Sequence, residues 1–120
     1  ILAHITYPFR YIFNHCGYVE DIDKYKSKVD ELLKLCAEKD KALEINMGGL
    51  KYPINKPSPD LETIKRYKEL GGKLISVGSD SHYAERIGVN IDKAYEIARQ
   101  AGFKSVATFK NRKVSEFAIV

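Results

Sequence analysis

The sequence holds few of the residues from which thiol or histidine-rich sites are made: two cysteines and three histidines in 120 residues. Cys16 and Cys36 form neither a Cys-x-x-Cys pair nor a zinc-finger spacing, which excludes a thiolate zinc site and a dithiol redox motif. Nothing in this usage calls for an oxidising compartment, so reduced thiols and a cytoplasmic setting are expected. No apolar run approaches the ~20 residues of a membrane helix, and no membrane partner is expected. There is no Gly-x-x-x-x-Gly-Lys phosphate loop, no nucleophilic serine elbow and no Cys/His pair placed for covalent catalysis. No charged-then-apolar leader opens the chain. It starts Ile1-Leu2-Ala3-His4, as a buried strand does, and further residues are expected upstream.

What is present describes one soluble globular unit over residues 1–120. Hydrophobic residues make up 44% and charged residues 30%, a balance that can build a core and is not that of a disordered chain. The net charge is +4. Lys and Arg are interleaved with Asp and Glu along residues 21–28 and 34–41, which reads as a solvated helix face rather than a nucleic-acid stripe. The positive excess reads first as a basic, soluble surface; the functional alternative is attraction of an anionic ligand such as a phosphate ester, and no nucleic-acid partner is expected.

Short apolar runs alternate with amphipathic ones. Residues 1–3 read as a strand, followed by a polar, aromatic loop over residues 6–20. Residues 21–39 carry Ile22, Tyr25, Val29, Leu32, Leu33 and Cys36 at helical spacing, with Cys36 as a small core residue. Residues 42–46 read as a strand and 47–57 as a loop broken by Gly48-Gly49, Pro53 and Pro57. Ser58 is placed to cap a helix with Pro59 at its first position, turning Leu61, Ile64, Tyr67 and Leu70 inward and stopping at Gly71-Gly72. A third strand spans 74–77. A helix capped by Asn90 packs through Ala94, Ile97, Ala98 and Ala101 and stops at Gly102. A fourth strand spans 105–109, with an extended tail over 114–120. This rhythm predicts an α/β fold with a parallel sheet, either doubly wound or part of a barrel.

In both architectures the chemistry gathers at the C-terminal ends of the strands. Those ends carry His4, Asn46, and Asp80 with His82. The Asp-x-His spacing puts a carboxylate and an imidazole on one side of an extended segment, where they could hold Zn, Mn or Fe. The alternative is a loop Asp capping the next turn beside a surface His. His4 reads either as a ligand or as a hydrogen-bonded core histidine. Glu44, inside an apolar strand, needs a partner: either a ligand that it orients or an internal cation. Arg10, in Tyr7-Pro8-Phe9-Arg10-Tyr11, could clamp a phosphate bidentately or stack on the tyrosines. His15 has no partner in view.

Taken together, Leu2-Ala3-His4-Ile5, Leu43-Glu44-Ile45-Asn46 with Gly49-Leu50, Gly78-Ser79-Asp80-Ser81-His82 with Ile87-Gly88, and Ala101-Gly102-Phe103 resemble successive motifs of the PHP (polymerase and histidinol phosphatase) family. Arg10-Tyr11 and Glu69-Leu70-Gly71-Gly72 turn the resemblance toward its histidinol phosphatases. The resemblance implies the C-terminal portion of a distorted (βα)7 TIM-like barrel. It also implies two or three divalent metal ions (Zn, Mn or Fe) and hydrolysis of L-histidinol phosphate in histidine biosynthesis. His4, Asp80 and His82 would match metal ligands and Arg10 the phosphate-holding arginine. Glu44 and Asn46 would line the pocket without binding metal. Metal-held hydroxide would attack phosphorus in line.

Two departures qualify the match. His4-Ile5-Thr6 stands where the family often has His-x-Asp. The His-x-His of the first barrel strand, with its following Glu and His ligands, has no counterpart. The chain is therefore expected to be an inactive piece whose partners are the N-terminal half of the barrel and a small phosphate-ester substrate. Its uncovered sheet edge would favour self-association. A polymerase-associated exonuclease-type domain and a non-catalytic module of the same fold are the alternatives.

Overall fold

The computed structural model describes residues 1–119, so of the expected tail only Val120 lies outside the described residues. β1 (Leu43–Asn46) and β2 (Ile75–Gly78) pair in parallel, with Leu43 opposite Ile75 and Asn46 opposite Gly78. On the other side of β1, Leu2 forms a single parallel bridge to Leu43, through Leu2 N–H to Ala42 O at 2.8 Å and Glu44 N–H to Leu2 O at 2.9 Å. The expected first strand is thus one bridge wide. The α/β alternation with parallel strands is as the sequence predicts.

Among the described residues the α-helices are α1 (Tyr7–Cys16), α2 (Lys26–Glu38), α3 (Leu61–Glu69) and α4 (Ile91–Gln100), of which the last three supply the core. The core joins Leu33 and Cys36 of α2, Leu43 and Ile45 of β1, Ile64 and Tyr67 of α3, Ile75 of β2, and Ala94 and Ala98 of α4, closed by Phe103 and Val106. Removing this apolar surface from water is the main stabilising term. Tyr67 lies at its centre, 1% exposed, with its hydroxyl donating to Lys41 O at 2.8 Å and its ring stacked 6.3 Å from Phe103. Burial pushes the Tyr67 phenol up to about 12. Gly72 leaves room for that ring, since a Cβ there would meet it at 2.4 Å. Arg66 ties α3 to α2 with Nε and Nη2 on the two oxygens of Asp30, at 2.9 and 2.8 Å.

Four expectations need correction. The loop over residues 6–20 is largely α1, which has Pro8 in its first turn and ends on Gly17 at φ 75°. The Pro-start and Gly-stop signals were in the sequence, and Phe9, Ile12, Phe13 and Cys16 stand at helical spacing between them, although no residue of α1 is buried. Residues 21–39 are not one helix. A 3-10 turn over Ile22–Tyr25, capped by Asp21 on Asp23 N–H, precedes α2. Tyr25, in that turn, and Leu32, on the outer side of α2, are exposed, at 46% and 41%. The cap of α3 is Asp60, whose Oδ1 accepts from Thr63 N–H at 3.0 Å and Thr63 hydroxyl at 2.7 Å. Ser58 instead exchanges backbone bonds with Asn46 and shares a 2.7 Å hydroxyl bond with Thr6. Asn90 does stand at the start of α4, but in a left-handed conformation and without a side-chain cap.

The fourth correction concerns the end of the chain. β3 (Ser105–Lys110) does not extend the parallel ladder. It pairs antiparallel with β4 (Lys113–Ala118), Ser105 opposite Ala118 and Lys110 opposite Lys113. The two-residue link Asn111-Arg112 has φ 50° and 64°, the conformation of a tight hairpin turn. Such a link permits an antiparallel partner only, because a parallel one needs a crossover of a dozen residues or more.

Candidate active site

The site is built where the first segment, β1 and β2 end. His4 follows the Leu2 bridge and Asp80 stands two residues beyond β2; their φ values are 34° and 50°. Left-handed backbone is uncommon outside glycine and gathers at functional positions. Glu44 Oε2 accepts from the His4 backbone N–H at 3.1 Å and from Asn46 Nδ2 at 3.2 Å. Glu44 therefore fixes the turn at His4 rather than its ring, and it forms no ion pair among the described residues. Asn46, 4% exposed, accepts from Gly48 N–H through Oδ1 at 2.9 Å, which closes the turn after β1.

Two glycines make space for the two carboxylates. A Cβ at Gly78 would stand 2.5 Å from Glu44 Oε1, and one at Gly48 would stand 2.5 Å from Asp80 Oδ2. The Gly-Ser-Asp and Met-Gly-Gly motifs are thus spatially complementary. Gly78 opens the floor beneath β1, and Gly48 admits Asp80 to the mouth.

A cleft of about 780 Å³ opens over these ends, and its walls include His4, Arg10, Asp80 and His82. Of the strand-end residues, His4, Asp80 and His82 meet in this cleft and Asn46 does not, while Arg10 joins them from α1. Glu44 and Asn46 are not among its walls; Asn46 lines an adjoining cavity of about 300 Å³ with Thr6 and Ser58. Lys51, Tyr52 and Arg86 also line the cleft, which sequence reasoning missed. They sit in segments read only as loops, and no periodic pattern marks a loop side chain as facing a site. Arg10, Lys51 and Arg86 outnumber Asp80, so the cleft carries net positive charge suited to an anion.

Arg10 is both stacked and placed in the cleft. Its guanidinium carbon is 4.3 Å from the ring centroids of Tyr7 and Tyr52 and 5.6 Å from that of Tyr11. No carboxylate pairs with it among the described residues. The hydroxyls of Tyr7 and Tyr11 lie 2.8 Å apart. That shared bond holds the Tyr7 phenol above the ordinary tyrosine range and Tyr11 below it, with a bond from Arg10 assisting the second effect. His15 stands outside the cleft, with Nδ1 2.9 Å from Tyr11 O.

As a metal site the donor set is right in kind and short in number. Asp80 Oδ1 and His82 Nε2 are 3.5 Å apart, with His82 largely exposed. Among the described residues no three His, Cys, Asp or Glu side chains converge on one point. The oxygen–nitrogen pair is short of the three protein ligands that a catalytic zinc-type ion takes.

No family model matches the chain. A probable histidinol-phosphatase of Clostridium acetobutylicum is 36% identical over 118 residues, covering 98% of this chain and 44% of the relative. One of Thermotoga maritima is 32% identical, covering 88% of this chain and 42% of the relative. The chain is a relative of the histidinol-phosphatases. A solved structure agrees: the histidinol phosphate phosphatase of Lactococcus lactis, complexed with zinc, L-histidinol and phosphate, superposes with a TM-score of 0.69 at 34% identity. The match covers 80% of this chain and 36% of that one. The chain thus spans less than half the length of the histidinol-phosphatases it matches.

Proposed function

We propose that this chain is the C-terminal part of a metal-dependent histidinol-phosphatase, which hydrolyses L-histidinol phosphate to L-histidinol and phosphate. The observation that carries the reading is the cleft. An arginine that no carboxylate pairs with among the described residues, a carboxylate–imidazole pair and His4 face one basic opening. In this reading the segments belong to a distorted (βα)7 barrel. Arg10 binds the substrate phosphate through two parallel N–H donors. His4, Asp80 and His82 contribute ligands to a site for two or three divalent ions completed by residues outside this chain. A bound divalent ion supplies charge neutralisation and an activated water. Glu44 and Asn46 hold the backbone from which His4 and Gly48 present the site. The incomplete donor set and the partial coverage of the relatives both support assignment to a part rather than to a whole enzyme.

The test is phosphate release from histidinol phosphate with added manganese or zinc. It is run on the 120-residue chain and on the same chain extended upstream by the length its relatives have. Turnover confined to the extended protein and abolished by His82→Ala is the expected result. Turnover by the short chain would overturn the split-site reading, and none in either would remove the substrate assignment.

A further inference from the structure

The cleft contains a row of contacts that no relative's name or ligand assigns. Arg10 on α1 stacks between Tyr7 and Tyr52, 4.3 Å from each ring. The same Tyr52 ring has Lys51 Nζ 5.5 Å from its centroid, and Lys51 Nζ donates to the Asp80 backbone carbonyl at 3.1 Å. The row runs from α1, through the 3-10 turn over Gly48–Lys51, to the loop after β2. It joins three segments whose side chains line one cleft.

Two cations over one ring repel each other, and the π face of Tyr52 offsets that repulsion. A guanidinium held by ring faces keeps N–H donors at its edge, and those not engaged with the Tyr7 and Tyr11 hydroxyls can meet an anion. Tyr7 lies on the same helix as Arg10, so it cannot fix where α1 stands relative to β1. Tyr52 can, because it belongs to the segment that follows β1. It is half-buried, and its backbone is held from both sides, with N–H to Gly49 O at 3.2 Å and O accepting from Asn55 N–H at 2.9 Å.

We propose that Tyr52 is a positioning residue: its ring face sets Arg10 and Lys51 as a pair for one phosphate-type anion. This rests on the reading of Arg10 as the phosphate contact. Positioning of this kind acts on affinity by reducing the ordering that binding requires.

The test titrates inorganic phosphate into the 120-residue chain and its Arg10→Ala, Tyr52→Leu and Tyr52→Phe variants, following Kd by calorimetry and the fold by circular dichroism. Tyr52→Leu is expected to weaken binding about three- to fivefold, and Tyr52→Phe to restore it, because the phenyl face is retained. Arg10→Ala is expected to weaken it more than either. Equal weakening in Leu and Phe variants would overturn the inference by pointing to the hydroxyl. An unchanged Kd in Tyr52→Leu with a weakened Arg10→Ala would also overturn it while leaving the Arg10 reading intact. An unchanged Kd in Arg10→Ala, or no phosphate binding by the parent chain, would remove the reading and the inference together.

Discussion

The base of the molecule and its mouth are held by different forces. α3, at the base, buries Thr63, Ile64 and Tyr67, whereas α1, at the mouth, buries nothing. The base depends on apolar contact, where shape decides stability. The mouth depends on single polar links: the Glu44 bond to His4 N–H, the Thr6–Ser58 hydroxyl pair and the stacking of Arg10. Exposed donors and a cation without a carboxylate partner do little for stability. Their arrangement is explained by what they can bind.

The sharpest way to break this contrast is a pair of truncations. Ile64 is 0% exposed, and Ile64→Ala is expected to cost about 2–5 kcal/mol, the range for emptying a packed core position. Arg10→Ala, which removes a stacked surface cation, is expected to stay within about 1 kcal/mol. Chemical denaturation of both variants checks this. Comparable losses would mean that α1 is part of the folding core, and the division drawn above would fail.

The same contrast explains what the sequence made legible. Ile64, Tyr67, Ala94 and Ala98 repeat at helical spacing and were placed inward, as they are. His4, Asp80 and His82 could be brought to one opening because parallel topology gathers strand ends; Asn46, expected with them, turns inward to close the turn after β1. α1 was legible in Phe9, Ile12 and Phe13 at helical spacing, but the polar and aromatic residues interleaved with them read as a loop, and none of the helix is buried to mark a core face. The hairpin of β3 and β4 escaped because β4 is exposed throughout, so alternation carries no burial signal there. Lys51 and Tyr52 escaped because loop side chains are aimed by tertiary packing, here by the turn that closes on Asn46.

Two glycines sharpen the comparison at a smaller scale. Gly72→Ala would drive a Cβ into the Tyr67 ring, which is buried and stacked and has nowhere to move. Overpacking of about 1–3 kcal/mol is expected, seen as a lowered denaturation midpoint. Gly48→Ala would press instead on Asp80, whose carboxylate sits in the mouth. It is expected to cost less stability and to displace Asp80 from His82. Zinc titration followed by the His82 ring resonances reads that displacement. If Gly48→Ala destabilises as much as Gly72→Ala, the mouth is as rigidly packed as the base.

The smallest effect is one of pH, and it belongs to the base. The Tyr67 phenol rises to about 12 on folding because burial disfavours the phenolate, against about 10 when unfolded. A raised pKa contributes stability that is fully present below pH about 10 and is lost as the pH climbs from there to about 12. Tyr67→Phe lacks this loss. At neutral pH the variant is expected to be about 1 kcal/mol less stable, because the bond to Lys41 O is gone. Between pH 10 and 12 the gap should close, because the parent alone gives up stability by ionising Tyr67 in the unfolded state. Every other ionisable group is common to the two proteins and cancels in the difference. Urea denaturation of the pair at pH 8, 10 and 11.5 measures it, and a gap that stays constant would mean that the Tyr67 hydroxyl meets water in the folded chain.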